Sequence, residues 1–399
     1  MKERSFKGNA VFAACIAAYT AIYIGRVNLS VASPLMIEEG LADLSQIGVL
    51  SGIFSIVYAA GRLLSGRVCD KRAPGVIIAL GAVSAGLSNV FTGFAPPYLV
   101  MALLWGINAL GQSFLWGSVL NALSRNFDGA LLKRKTAYMT LSIPAGNIAG
   151  YLISSYLCES RGWNAAFCIP GILCILCGLQ ALFVLRGTAG GSGERKENGT
   201  FFAAVREIPV KDIPGKLLPA FLHGLIKDNS SFFLPTILAI DYLVSGKITG
   251  LMIVIVPAIG FAGRFIYPSV LRLFNDKEDK VSVLCFIIIA LSALVLWLCP
   301  VPAVMAAVLI GIIYAAASMI NTTFLSIYPI RFNDRGCAAT VSGVMDFITY
   351  LGASAGSLVF GLIAESFGFR PLYLCWFIIS ALAVLLLIFT ERQANRHKQ

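Results

Sequence analysis

The sequence predicts an all-α integral membrane protein with twelve transmembrane helices, arranged as two six-helix halves with both termini in the cytoplasm. Three observations predict it. The first is the apolar excess: of 399 residues, 58% are hydrophobic and only 13% charged, at a mean hydropathy of +0.81. A soluble chain carries about a quarter of its residues as charges, and no soluble core hides so much apolar surface. The second is the position of the positive charge, which sits in short breaks between apolar stretches. The third is the return of short motifs in the second half of the chain. Together they exclude a soluble enzyme, a secreted module and a nucleic-acid binder. The net charge of +11 would suit nucleic acid only if it lined one soluble face.

Crossing a hydrocarbon core of about 30 Å takes about 20 apolar residues per helix. Apolar runs between charged or Pro/Gly-rich breaks lie near 10–33, 46–66, 75–94, 97–122, 136–158, 163–186, 215–241, 247–272, 281–299, 302–328, 336–364 and 369–390. The first run follows Lys2, Arg4 and Lys7, as in a signal peptide. It continues past Ser30 without an A-x-A cleavage site, however, and reads as a spanning helix. The N-terminus, the loops after spans 2, 4, 6, 8 and 10, and the C-terminus together hold twenty-four Lys and Arg, while the opposite loops hold only Arg161, Lys247 and Arg370. By the positive-inside rule both termini are cytoplasmic. The expected location is the cell membrane, the inner membrane if the cell is bacterial, with the lipid bilayer as surrounding partner.

The longest polar stretch, 187–214, divides the spans six and six. It gives an N-terminal half over 1–186, a cytoplasmic central loop, and a C-terminal half over 215–399. Gly61-Arg62 at the end of span 2 returns as Gly263-Arg264 at the end of span 8, and Glu159-Ser-Arg-Gly162 returns as Glu365-Ser-Phe-Gly368. Two parallel repeats joined by a basic loop are a transporter's architecture. Each chain then carries both halves of a cavity, so a functional monomer is expected.

A charge in hydrocarbon costs several kcal/mol unless it meets a cavity or a partner, so each one is a functional candidate. Arg26 and Lys227 lie near the middle of spans 1 and 7, 201 residues apart, at nearly the repeat spacing. Two cations at equivalent positions call for an anion; pairing of Arg26 with a buried carboxylate is the structural alternative. Asp228 is the neighbour of Lys227, points about 100° away around a helix and is expected to be a poor partner for it. Tyr19, Tyr23 and Arg26 form one helical stripe, and hydroxyls beside a guanidinium suit a phosphate or carboxylate. Tyr314 and Tyr350 are further binding candidates. Arg62 and Arg264 lie nearer the cytoplasmic ends, where a long side chain can snorkel to water; of these, Arg62 joins the binding set.

His223, one turn before Lys227, and Asp346 in span 11 are candidates for a coupling proton, or for packing and structural pairing. After span 2, Gly66, Asp70 and Arg72 have the spacing of a gate whose ion pairs open and close with alternating access. The cysteines at 15, 158, 168, 174, 177, 285, 299 and 375 fall in apolar segments. Cys174 and Cys177 form a lone CxxC with no histidine nearby, which reads as packing rather than metal or redox chemistry. No metal, cofactor or catalytic constellation is expected.

With these residues in hand, the chain resembles the major facilitator superfamily along its whole length. The Gly66-to-Arg72 segment is similar to that superfamily's signature after the second helix. Within it, the chain looks most like the organophosphate:phosphate antiporters. Tyr19, Tyr23, Arg26, Asn28, Ala32 and Pro34 follow the family's first span. Tyr58 and Arg62 stand where it carries a tyrosine and a lysine. Lys227 is followed by Pro235-Thr236, and span 11 keeps Tyr350-Leu-Gly352. The resemblance implies a phosphate ester held by Arg26 and Lys227 and exchanged for inorganic phosphate by a rocker switch. Two positions depart from it: lysine replaces arginine at 227, and Gly146 stands before Asn147 where glycerol-phosphate exchangers carry histidine. Arg26 to Ala32 also resembles the anion:cation symporters, which move carboxylates with a proton or sodium; there Asp346 or His223 would carry coupling. Drug export and a transporter-fold sensor are the remaining readings.

Overall fold

The computed structural model describes residues 2–186, 214–244, 246–332 and 338–396. The expected central loop therefore lies almost wholly outside the described residues. Among those described, every regular element is helical. In chain order they are α1 (Lys2–Glu38), α2 (Leu44–Lys71), α3 (Pro74–Thr92), α4 (Tyr98–Ser113), α5 (Leu115–Asn126), α6 (Gly129–Thr140), α7 (Ser142–Arg161) and α8 (Trp163–Leu185). There follow α9 (Pro214–Phe232), α10 (Leu234–Ile240), α11 (Gly246–Leu273), α12 (Glu278–Leu298), α13 (Ala303–Thr322), α14 (Ala338–Phe367) and α15 (Arg370–Arg396). A π turn at Thr323–Ile327 and a 3-10 turn at Tyr328–Phe332 extend α13.

Ten helices among the described residues are long and apolar enough to cross a membrane. The sequence anticipated twelve spans. The other two, near 136–158 and 215–241, fall on the interrupted helices α6–α7 and α9–α10. Physical reasons for the interruptions lie in the sequence. Pro235 opens α10 and offers no N–H to the preceding turn, while α9 dilutes its apolar residues with Lys216, His223, Lys227 and Asp228.

The chain divides into two compact units. The first comprises Met1–Ala42 with Ile56–Lys196, the second Asp43–Ser55 with Glu197–Gln399. Within the first, α1 packs on α7 and α8, and α3 on α4 and α8. Within the second, α9 packs on α14, α12 on α13 and α15, and α11 on α13. The first span thus meets the fifth, and the third meets the fourth and sixth, in both units. The repeated motifs occupy matching places. Gly61 lets α2 close on Ser113 of α4, and Gly263 lets α11 close on Ala315 of α13; each partner pair is 202 residues apart. Gly162 and Gly368 both follow the last turn of a helix with positive φ, at 83° and 75°, the left-handed ending for which glycine carries no Cβ penalty.

The start of α2 is capped by its own sequence. Asp43 accepts the Gln46 backbone N–H at 2.7 Å, and Gln46 returns a side-chain oxygen to the Asp43 N–H at 3.0 Å, a reciprocal capping box. Residues 43–55 then pack on α14 inside the second unit. Gly48 and Gly361 abut, with Gly361 Cα 3.0 Å from the position of a Gly48 Cβ, Ser51 and Ser357 share a hydroxyl contact at 3.0 Å, and Ser354 donates to the Gly52 carbonyl at 2.9 Å. Small residues let two backbones approach this closely.

One end of the second unit is tied by charge. Lys216 of α9 pairs with Asp279, and buried Glu278 pairs with Arg331 at 2.5 Å. Because Glu278 is buried and Arg331 half outside, Glu278→Gln is expected to cost about 1–2 kcal/mol. A thermal melt in detergent should show a drop of a few degrees, and adding Arg331→Met should lower it no further, since the pair is already broken.

Candidate functional site

In the first unit, Tyr19, Tyr23 and Arg26 share one stripe of α1, as their spacing requires. The Tyr19 and Tyr23 rings meet edge to face at 5.3 Å, and Trp116 of α5 closes on Tyr19 at 5.3 Å. The Arg26 guanidinium stands 5.6 Å from the Tyr23 ring centre and 4.9 Å from that of Tyr58 on α2. Such contacts are cation–π in character. Arg62 lies one turn beyond Tyr58 and within electrostatic reach of Tyr19.

Asn28, two residues after Arg26, fixes the stripe. Its amide donates to Asn89 Oδ1 at 2.7 Å and to the Ala166 carbonyl at 3.1 Å, while Asn89 donates to the Gly25 carbonyl at 3.1 Å. Helices α1, α3 and α8 are thereby locked at the level of the arginine. Asn28→Leu would leave these groups short of partners in an apolar interior. It is expected to cost about 2 kcal/mol, and a thermal melt of Asn28→Leu with Asn89→Leu should show less loss than the two singles summed.

The second unit repeats this device. Lys227 is mostly buried and lies 6.0 Å from the Tyr350 ring centre. Asn229, again two residues after the cation, donates to the Leu225 and Ala353 carbonyls at 2.8 and 3.1 Å and accepts from Ser357 at 2.7 Å. Arg26-x-Asn28 and Lys227-x-Asn229 stand 201 residues apart, a repeat of cation and anchor that was visible in the sequence but was not among its candidates. One expectation is corrected here: Asp228 does pair with Lys227, at 2.5 Å between Nζ and Oδ1. The flexible lysine stem reaches around the helix, so backbone angle alone does not decide the pairing.

The other candidates are placed as follows. His223 is buried, and its Nε2 lies 2.7 Å from the Ala317 carbonyl of α13. A carbonyl only accepts, so Nε2 carries the proton, and its Nδ1 has no hydrogen-bond partner. The Tyr314 ring fills the notch at Gly260 of α11. Asp346 is half-buried on α14, one turn before Tyr350, and takes part in interactions of its own. Arg264 is half-buried on α11, and Arg72 is exposed at the end of α2. The side-chain surroundings of Gly66 and Asp70 lie outside the described residues. Thus Tyr19, Tyr23, Arg26 and Arg62 gather with Tyr58 in one unit, and Lys227 and Tyr350 in the other. Cys174 is buried with its Sγ on the Ala21 carbonyl at 3.2 Å, a packing position against α1.

The departure at Gly146 has a steric cause. A Cβ there would lie 2.5 Å from Tyr23 Cβ and 2.9 Å from the Thr20 carbonyl. Any side chain at that position, histidine included, would push α7 off the tyrosine stripe.

Comparison with known proteins gives a consistent picture. The family model described as Major Facilitator Superfamily matches residues 15–354. A "Probable hexose phosphate transport protein" of Chlamydia pneumoniae is 29% identical over 46% of this chain and 40% of its own length, so the chain matches less than half of that relative. A "Glycerol-3-phosphate transporter" of Bacillus subtilis is 21% identical over 97% of this chain and 93% of its own. A "Membrane sensor protein UhpC" of Salmonella typhimurium is 22% identical over 95% of this chain and 90% of its own. In fold, the chain is similar to a bacterial homologue of the human lysosomal transporter Spinster, with a TM-score of 0.82 at 17% identity over 97% of each chain.

Proposed function

We propose, for a chain that belongs to the Major Facilitator Superfamily and is a multi-pass inner-membrane protein rather than an enzyme, that it exchanges small phosphate esters for inorganic phosphate by alternating access. Twelve spans, cytoplasmic termini and a functional monomer complete this reading. The observation that carries it is the Arg26 guanidinium bracketed by the Tyr23 and Tyr58 rings on a helix anchored by Asn28. Guanidinium donors match phosphate oxygens in pairs, and tyrosine hydroxyls can add further donors. The names of the relatives, which include hexose phosphate and glycerol-3-phosphate transporters, favour phosphate over carboxylate.

In this mechanism Arg26 and Lys227 both bind the anion. Lys227 starts paired with Asp228, so an arriving phosphate competes with that carboxylate for the ammonium. Binding then exchanges one ion pair for another and releases Asp228 from the Lys227 ammonium. Substrate occupancy is thus linked to a local rearrangement of α9, which is what an exchanger needs if the empty carrier is not to cycle. Differential affinity of the anion for the two states supplies the drive.

The test is uptake of radiolabelled phosphate into phosphate-loaded proteoliposomes, with and without an imposed proton gradient. Gradient-independent exchange, inhibited by external sugar or glycerol phosphates, is expected. Absence of exchange by folded protein would overturn the reading and turn attention to carboxylates under a proton or sodium gradient. Ligand binding without any flux would instead favour a sensor, a reading that the full-length likeness to UhpC makes worth measuring.

A further inference from the structure

Two buried carboxamides on α4 are left incomplete by the protein. Gln112 donates its Nε2 to Asn108 Oδ1 at 2.8 Å. That bond leaves Asn108 Nδ2 and Gln112 Oε1 without hydrogen-bond partners, although the two residues are 0% and 3% exposed. Flipping both amides reverses the shared bond and still leaves one donor and one acceptor unmatched, so the conclusion does not depend on how the amides are assigned. Unpaired buried polar groups are costly, and two on adjacent turns of one helix call for a reason.

Their position supplies one. Gly111 turns towards Gly81 of α3, and Ser113 towards Gly61 of α2. Gln112 lies between these faces, on the stripe that joins Trp105, Asn108 and Trp116. One end of that stripe meets α1 directly, and the other meets α8 beside its bond to α1. Trp116 meets the Tyr19 ring, and Trp105 meets the ring of Phe167 at 5.9 Å, beside the Ala166 carbonyl held by Asn28. The helices run antiparallel, so Gln112 and Asn108 fall at the depths of Tyr23 and Arg26. The incomplete pair stands level with the proposed phosphate contact, all within one unit.

We infer that Asn108 and Gln112 form a hydroxyl-recognition subsite for the organic part of the substrate, an inference that rests on the anion reading above. The chemistry selects the group. An unmatched donor next to an unmatched acceptor is completed by a hydroxyl, which accepts one hydrogen bond and gives another. An ionised phosphate offers acceptors only, and an alkyl chain offers neither. The substrate class is therefore a hydroxyl-bearing phosphate ester, with its phosphate on Arg26 and a hydroxyl on the carboxamides. A site built to bond a hydroxyl discriminates strongly against the analogue that lacks it.

The experiment is competition against phosphate exchange in proteoliposomes by glycerol 3-phosphate, glucose 6-phosphate and hydroxyl-free n-propyl phosphate. It compares the natural chain with Gln112→Met and with the double variant Asn108→Leu/Gln112→Met. In the natural chain, at least one hydroxylated ester is expected to compete about tenfold or more better than n-propyl phosphate, and the variants should lose that preference. The unliganded double variant should melt no lower than the natural chain, because two unmatched polar groups have been removed. Equal competition by all three esters in the natural chain, or a preference retained by the double variant, would overturn the subsite. So would a double variant that melts well below the natural chain or fails to fold, since that marks a structural pair. Thermal shift of the natural chain by the same three ligands reads the subsite without flux. A preference there with no phosphate exchange would count against the exchange reading and not against the carboxamides.

Discussion

Arg26→Ala is expected to reduce phosphate exchange by at least about 100-fold while leaving a folded, monodisperse protein. A guanidinium gripping a phosphate makes two charge-assisted bonds, each worth about 1.5–3 kcal/mol, and each 1.4 kcal/mol is about tenfold. Folding should survive because Asn28 also holds α1 at this level, through Asn89 and Ala166. Arg26→Lys should fall between the two, keeping the charge and losing the fork. Lys227→Ala should lose exchange to a similar degree, with the added burden of Asp228 left without its ammonium partner, whereas Lys227→Arg should retain it. The measurement is initial-rate exchange at matched reconstitution density, with a thermal melt as the control for folding. Near-normal rates in both alanine variants would remove the central-anion mechanism.

Gly224→Val is expected to be the most damaging single change to the fold. Gly224 of α9 faces the Thr349 carbonyl of α14, and Gly352 of α14 faces the Phe221 carbonyl in return; a Cβ at either position would run into that backbone oxygen. Gly356 adds a third close approach, against Leu225. No rotamer relieves a clash with backbone, so α9 and α14 would have to separate along their length. The expected cost is at least about 3 kcal/mol, at the upper end for an overpacked core. It should appear as a large loss of folded protein in fluorescence-detected size exclusion. Gly215→Ala, on the same helix, meets only the Thr390 side chain, at 3.0 Å, and should be tolerated. A Gly224→Val protein that expresses and melts normally would show that these helices can slide apart without penalty.

Much of this is legible in the sequence alone. Arg26 and Lys227 stood out because a charge amid apolar residues is chemically anomalous wherever it lies in the bilayer. The repeat was legible because Gly162 and Gly368 both take a positive φ after a helix and so reappear as the same residue. The carboxamide pair was harder to see. Asn108 and Gln112 at i and i+4 are unremarkable in a helix, since polar residues there usually bond to neighbouring backbone. Only packing reveals which of their atoms have no partner. In sequence Gly146 is only a departure from the exchangers' histidine, whereas its neighbours Tyr23 and Thr20 make it a packing requirement.

The sequence by itself determined the solvent of this protein, its helical character, its doubling and the identity of its buried charges. Each of these follows from local composition, spacing and hydration cost, quantities carried along the chain. Only the tertiary structure decided that Asp228 reaches Lys227, that Tyr58 rather than a more distant tyrosine brackets Arg26, and that two α4 amides are left incomplete. Those outcomes depend on side-chain reach and on contacts between helices far apart in the chain, which helical periodicity leaves undetermined.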